Sequence, residues 1–197
     1  MMLPCRVLNC DRHMGKMAML GKIISYLKDN GATEAKLIHV NNVIVDERVR
    51  LKCQIPLCDS YNRNLMCPPN VPDVTEFRQA LSLYSRAILI QISASMDEVA
   101  GDVFVPANKL HELVNMGEKA AFEAGYRFAT GLIGGCCRLC DECVAVNPGV
   151  KCRFPFKARP SMEAMGIDVI ATVEKVGLPV SFPIGESVTW TGLILVD

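Results

Sequence analysis

The sequence predicts an α/β fold: a mixed sheet with helices packed on it and cysteine-rich loops leaving the ends of its strands. Three observations carry the prediction. Short Val/Ile-rich runs alternate with helical-period segments through the middle of the chain, two of those segments carry an apolar stripe, and eight of the ten cysteines fall into two islands between elements.

Met17 to Asn30 mixes apolar and Lys positions at helical spacing and stops at Asn30-Gly31, a left-handed cap signal, so a first helix is expected there. Residues 36–45 and 48–53 read as strands, the second because charged and apolar side chains alternate. Asp73 followed by Glu76 is a capping-box pattern, with Phe77, Ala80, Leu81 and Tyr84 on one helical face behind it. Residues 86–93 (RAILIQIS) are apolar at their centre and too short for a core helix, which predicts an interior strand. Pro106 opens a long helix whose stripe is Leu110, Leu113, Val114, Gly117, Ala121 and Ala124, with Glu112, Glu118, Lys119 and Glu123 toward water. Its small residues Gly117, Ala120 and Ala121 predict close packing on a sheet. Residues 128–133 form a further strand running into Gly134-Gly135, 161–164 and 168–176 are helical, and 188–196 form the closing strand.

Composition narrows the function. Lys plus Arg (21) balance Asp plus Glu (21), so no global basic surface grips nucleic acid or anionic lipid. Charged residues interrupt every apolar run before it reaches the roughly 18 to 20 residues of a spanning helix. The first twenty residues carry Arg6, Asp11, Arg12 and Lys16 where a secretory peptide would be apolar, which predicts a cytoplasmic chain. No repeat, linker or low-complexity tract divides residues 1–197, so a single domain is expected. In reducing cytosol ten cysteines call for metal or catalysis rather than cross-links.

The first island, residues 53–69, holds Cys53, Cys58 and Cys67-Pro68-Pro69; the second, 136–155, holds Cys136, Cys137, Cys140, Cys143 and Cys152. Cys137, Cys140 and Cys143 form a C-x2-C-x2-C triplet. Structural zinc takes separated C-x2-C pairs, whereas this triplet is how bacterial ferredoxins wrap three irons of a cubane, a further cysteine next to proline ligating another cluster. Here the fourth position comes only after eight intervening residues, at Cys152, and the Cys-Pro dipeptide stands at Cys67-Pro68. Two allocations follow. In the simpler, Cys137, Cys140, Cys143 and Cys152 hold one 4Fe-4S cluster, and Cys53, Cys58 and Cys67 hold a second whose last iron is free or bound by Cys136. In the crossed one, Cys67 completes the first cluster and Cys152 joins Cys53 and Cys58.

Charge favours an anionic centre. Residues 48–69 and 136–160 carry Arg48, Arg50, Lys52, Arg63, Arg138, Lys151, Arg153, Lys157 and Arg159 against Asp59, Asp141 and Glu142. Cations near thiolates favour the deprotonated ligands and raise a cluster's reduction potential, so Arg138, Arg153 and Arg159 are expected to face the cofactor. The plain alternative is that each is a solvated loop charge.

Two segments, RVRLKC…C…Y…CPP (residues 48–69) and CRLCDEC…CRFPFKARPSMEAMGIDV (137–169), resemble a domain-of-unknown-function family of predicted metal-binding, cysteine-rich proteins. The likeness runs from about Ala35 to the C-terminus, leaving residues 1–34 as an N-terminal extension. It implies a metal or iron-sulfur centre, mainly in anaerobic prokaryotes. The family's cysteines fall on Cys53, Cys58, Cys67, Cys137, Cys140, Cys143 and Cys152, with Tyr61, Pro68, Arg159, Pro160, Glu163, Gly166 and Asp168 at its other motif positions; Cys136 sits where the pattern varies. Seven cysteines imply one fully thiolate-bound cluster and one three-cysteine cluster with an iron open to a substrate, or one cluster plus a zinc.

Other residues have plainer readings. Cys5 and Cys10 lie outside the islands and read as small apolar residues. His13, His39 and His111 are scattered, and His39 reads as packed rather than ligating. Glu163 and Asp168 read as helix caps before they read as an acid/base pair. The expected function is a cytoplasmic iron-sulfur protein acting in electron transfer with a partner protein, or in redox or Lewis-acid chemistry on a small-molecule substrate at an open iron, with no nucleic-acid or membrane partner. Its rivals are a zinc-binding structural or interaction module, colourless and redox-inert, and a metal chaperone or sensor with exchangeable ligands.

Overall fold

The computed structural model describes residues 6–99, 101–147, 149–180 and 185–197, with side chains from Gly15 onward. Cys5 lies outside the described residues, as does the Cys10 side chain. The expected first helix begins earlier than Met17: α1 spans Arg6–Asp29. It ends as its sequence indicates, with Gly31 at φ 107°, Gly31 N–H donating to the Lys28 carbonyl and Ala32 N–H to that of Leu27. Those two bonds satisfy carbonyls the last turn would leave bare.

Four strands, β1 (Glu34–His39), β2 (Arg86–Ser95), β3 (Thr130–Leu132) and β4 (Ser187–Val196), form one sheet in the order β1-β2-β4-β3. The expected helices on a sheet are present, but the ladders are antiparallel throughout, with one parallel bridge, Ile133 to Ser161, outside the strands. β4 inserts between β2 and β3 and pairs antiparallel with both.

β2 is apolar from Ala87 to Ile90 because both its faces are covered there. On one face Ile88, Ile90 and Ile92 meet α1 and the helix α4 (Val105–Glu123) through Leu20, Ile23, Leu27, Leu110 and Leu113. On the other, Ala87 and Leu89 meet Phe77 and Leu81 of α3 (Val74–Leu81), together with Met162, Met165 and Ile167. The Asp73–Glu76 capping box forms as expected. Gly117 lets α4 close on β4, since a Cβ there would stand 2.5 Å from Ile194 Cδ1. Glu118, expected in water, is half-buried on the same helix, its side chain 17 % exposed. The segment 168–176 forms α5 (Val169–Lys175), and Asp168 caps it by accepting from Ala171 N–H.

Two strand expectations are corrected. Residues 40–45 leave the sheet through a 3-10 turn, Val40–Asn42, capped by His39, whose exposed ring accepts from Asn41 N–H rather than packing in the core. Residues 48–51 are helical and 52–53 a turn: α2 is Glu47–Leu51, capped by Asp46. The alternation there had no sheet to serve, because α2 buries none of its residues and the Asp46 cap nucleates a turn instead. The first cysteine island therefore leaves a helix, not a strand. Among the described residues no helix is long and apolar enough to cross a membrane.

Candidate metal centre

The first island hangs from α2. Asp46 accepts from the backbone N–H of Arg48 (2.8 Å) and from its guanidinium, and those bonds hold its carboxyl at about 2. Arg50 anchors the helix by donating to the carbonyls of Ala164 (2.6 Å) and Pro72 (3.1 Å). Beyond it the chain folds into successive turns: Cys58 N–H donates to the Cys53 carbonyl, Tyr61 N–H to that of Cys58, Asn62 N–H to that of Pro68 and Cys67 N–H to that of Asn64. Cys67 ends buried, Cys53 half-buried and Cys58 exposed.

The second island leaves β3 through Gly134 and Gly135. A Cβ on Gly134 would stand 2.8 Å from the Thr191 carbonyl oxygen, so glycine lets this exit lie against β4. Residue 133 pairs with the segment beyond the island: Ile133 N–H donates to the Pro160 carbonyl (3.0 Å) and Met162 N–H to that of Ile133 (2.8 Å). The island is thus a loop closed at its base.

Cys137, Cys140, Cys143 and Cys152 line one small cavity, walled by Leu139, Val144, Phe154 and Ala158 and, from the first island, by Asn64, Leu65 and Met66. Two backbone donors reach its sulfurs: Leu65 N–H to Cys143 Sγ (3.5 Å) and Phe154 N–H to Cys152 Sγ (3.4 Å). Asn64, buried, holds the islands together, Nδ2 donating to the Cys137 carbonyl (2.9 Å) and Oδ1 accepting from Met66 N–H (2.9 Å). Sequence reasoning passed over Asn64, and nothing local announced it, since its partner Cys137 lies in the other island.

Burial and mutual repulsion act on the cysteine thiols in groups. Burial pushes the Cys137 thiol up, the Leu139 backbone eases it down, and Cys152, Cys143 and Cys140 add to the push. Burial pushes Cys67 up to about 12, and there the contributing neighbours are Cys136, Cys58, Cys53 and Cys137. Cys53 is raised by burial, eased by Arg50, and raised further by Cys58 and Glu163. One neighbourhood is therefore Cys137, Cys140, Cys143 and Cys152; the other is Cys53, Cys58 and Cys67 with Cys136 beside them, Cys67 also bordering Cys137 of the first.

The arginines divide. Arg153 lines the cysteine cavity and donates to the Glu142 carbonyl (2.9 Å), bridging the two limbs of the second island. Arg138 stacks over Phe104, 3.8 Å from guanidinium carbon to ring centroid. Arg159 pairs with Glu118. Tyr61 OH accepts from Gln54, and Phe154 walls the cavity. Burial pushes the Glu163 carboxyl up, opposed by hydrogen bonding from its own N–H, the Ser161 hydroxyl and the Gly135 N–H.

Among the described residues no group of three or more Cys, His, Asp or Glu side chains is arranged to hold a metal ion as it stands. The donor chemistry nevertheless fits a metal. Thiols gathered in desolvated neighbourhoods cannot ionise together without a cation to offset their mutual repulsion, and soft thiolates select zinc, copper(I) or iron-sulfur clusters. No curated protein and no solved structure matches the chain. The family described as "Predicted metal-binding protein (DUF2284)" matches over residues 36–196, and the chain belongs to it.

Proposed function

We propose that this is an iron-sulfur protein that passes single electrons, with Cys137, Cys140, Cys143 and Cys152 as ligands of one 4Fe-4S cluster and Cys53, Cys58 and Cys67 as ligands of a second centre. One observation carries the reading: the C-x2-C-x2-C triplet and the distant Cys152 line the same cavity, with backbone N–H groups on two of the four sulfurs. Such donors offset thiolate charge and raise the potential of a bound cluster, which supplies one-electron transfer when present. The chain's own part is to hold the sulfurs, keep water off them with Leu65, Leu139, Val144 and Ala158, and place the Arg153 guanidinium at the rim. An electron-donor or electron-acceptor protein is the implied partner. The neighbourhood of Cys67 supports the simpler allocation, in which Cys67 and Cys152 serve different centres.

Purification without oxygen tests the reading. A brown protein with broad absorbance near 400 nm, equimolar iron and sulfide, and about four irons per cluster is the expected result. Colourless protein with stoichiometric zinc overturns it in favour of a zinc-held structural module.

A further inference from the structure

Glu163 opens the 3-10 turn Glu163–Met165, and tethers fix that turn between the two islands. On one side, the pairing of residues 160–162 with Ile133 brings the carboxyl to the N–H of Gly135, the residue before Cys136. On the other, Arg50 bonds the Ala164 carbonyl, and Asp46 N–H donates to the Gly166 carbonyl (2.8 Å), so α2 is seated on the turn, and Cys53, whose N–H donates to the Arg50 carbonyl (3.1 Å), follows directly from it. Part of the residue reaches solvent, but its carboxyl is enclosed, and Oε2 is buried with no hydrogen-bond partner.

A buried acid with no partner stays protonated; its ionised form, with one oxygen orphaned, needs a cation or a donor beside it. Among the described residues no Lys, Arg or His forms an ion pair with Glu163. Its neighbours are instead Cys53 and the backbone running into Cys136, on the side where three family-pattern cysteines leave one coordination position unfilled. Cys136 competes for that position, but its thiol is a small apolar group that needs no partner, whereas the Glu163 carboxyl has a buried oxygen left without one in either protonation state.

We propose that the Glu163 carboxylate is an oxygen ligand of the centre held by Cys53, Cys58 and Cys67, giving it a set of three thiolates and one carboxylate beside the all-thiolate centre of the second island. The assignment rests on the two-centre reading above. A hard oxygen donor among soft sulfurs makes that one metal position the exchangeable one, where an outside ligand enters.

Glu163→Gln keeps the side chain's size and the acceptor for Ser161 and Gly135 but removes the anionic oxygen. In full-length protein purified without oxygen, the variant is expected to lose about one iron per chain, to lose the oxygen scatterer from the iron-edge X-ray absorption spectrum, and to retain the melting temperature within a few degrees and the second-island signal in electron paramagnetic resonance. Glu163→Asp is expected to restore part of the lost iron. Unchanged metal content and an unchanged light-atom shell in Glu163→Gln overturn the proposal, all the more if Cys136→Ser loses the iron instead. Should the unaltered protein carry zinc, the iron-sulfur reading fails separately, and the same comparison at the zinc edge still decides whether Glu163 is a ligand. An unaltered protein that takes up no metal overturns both.

Discussion

Arg159 and Glu118 form a bidentate ion pair, Nε to Oε2 at 2.6 Å and Nη2 to Oε1 at 2.9 Å, with both side chains less than a fifth exposed. Glu118 Oε2 also accepts from Gly131 N–H at 3.0 Å. One carboxylate therefore fastens α4, β3 and the segment that returns from Cys152. Removing either partner strands a half-buried charge, so Arg159→Ala should cost about 2 to 4 kcal/mol of unfolding free energy, read as a lowered urea midpoint. A double replacement, Glu118→Gln with Arg159→Met, should recover part of that loss, because it strands no charge.

Asn64 is the second fastening. It bonds the Cys137 carbonyl across 73 residues of sequence and, through Met66 N–H, sets the turn that points Leu65 N–H at Cys143. Asn64→Ala removes two buried hydrogen bonds and leaves a carbonyl bare, which should cost about 2 kcal/mol. It should also speed metal loss to a chelator, measured as the rate of bleaching or of metal release. Metal release as slow as in the unaltered protein would show that the two islands do not depend on each other.

The elements legible in the sequence were those whose burial is simple. β2 was readable because both its faces are covered, and α3 because Asp73 and Glu76 carry the cap in four residues. The segment 48–53 was not, because alternation signals a strand only where one face is buried, and α2 buries nothing. The local triplet Cys137, Cys140, Cys143 was readable from spacing alone. Its union with Cys152, Leu65 and Asn64 was not, since those contacts cross between loops and are set by the base pairing of residues 133 and 160–162. Glu118 was misplaced because it sits one step off the apolar stripe, and nothing local announces a partner 41 residues away.

His111 gives stability a pH dependence with a definite sign. Buried on α4, its Nε2–H donates to the Lys157 carbonyl (2.8 Å), and burial holds the ring's pKa below its ordinary 6.5, aided by Arg159 and opposed by the Lys157 bond. The folded chain therefore binds fewer protons than the unfolded chain as pH falls below 6.5. Stability is full above that value and declines on acidification toward the lowered folded pKa, by up to about 1.4 kcal/mol per pH unit within the window. His111→Gln should flatten this part of the profile, seen by comparing urea midpoints at pH 7.5 and 5.5.

Replacing single cysteines separates the two centres. Cys140 stands in the cavity with Cys137, Cys143 and Cys152, while the thiols around Cys67 are chiefly Cys136, Cys58 and Cys53. Each loop is held closed at its own base, the first by Arg50 on the Pro72 carbonyl and the second by Ile133 against Pro160 and Met162. Loss of one metal should therefore leave the other loop standing. Cys140→Ser should cost the second-island centre, and Cys67→Ser the first-island centre, with the two variants losing different signals in electron paramagnetic resonance and together accounting for all the metal. If Cys67→Ser instead abolished the same signal as Cys140→Ser, the ligands would be crossed between the islands, and Cys152 would belong with Cys53 and Cys58.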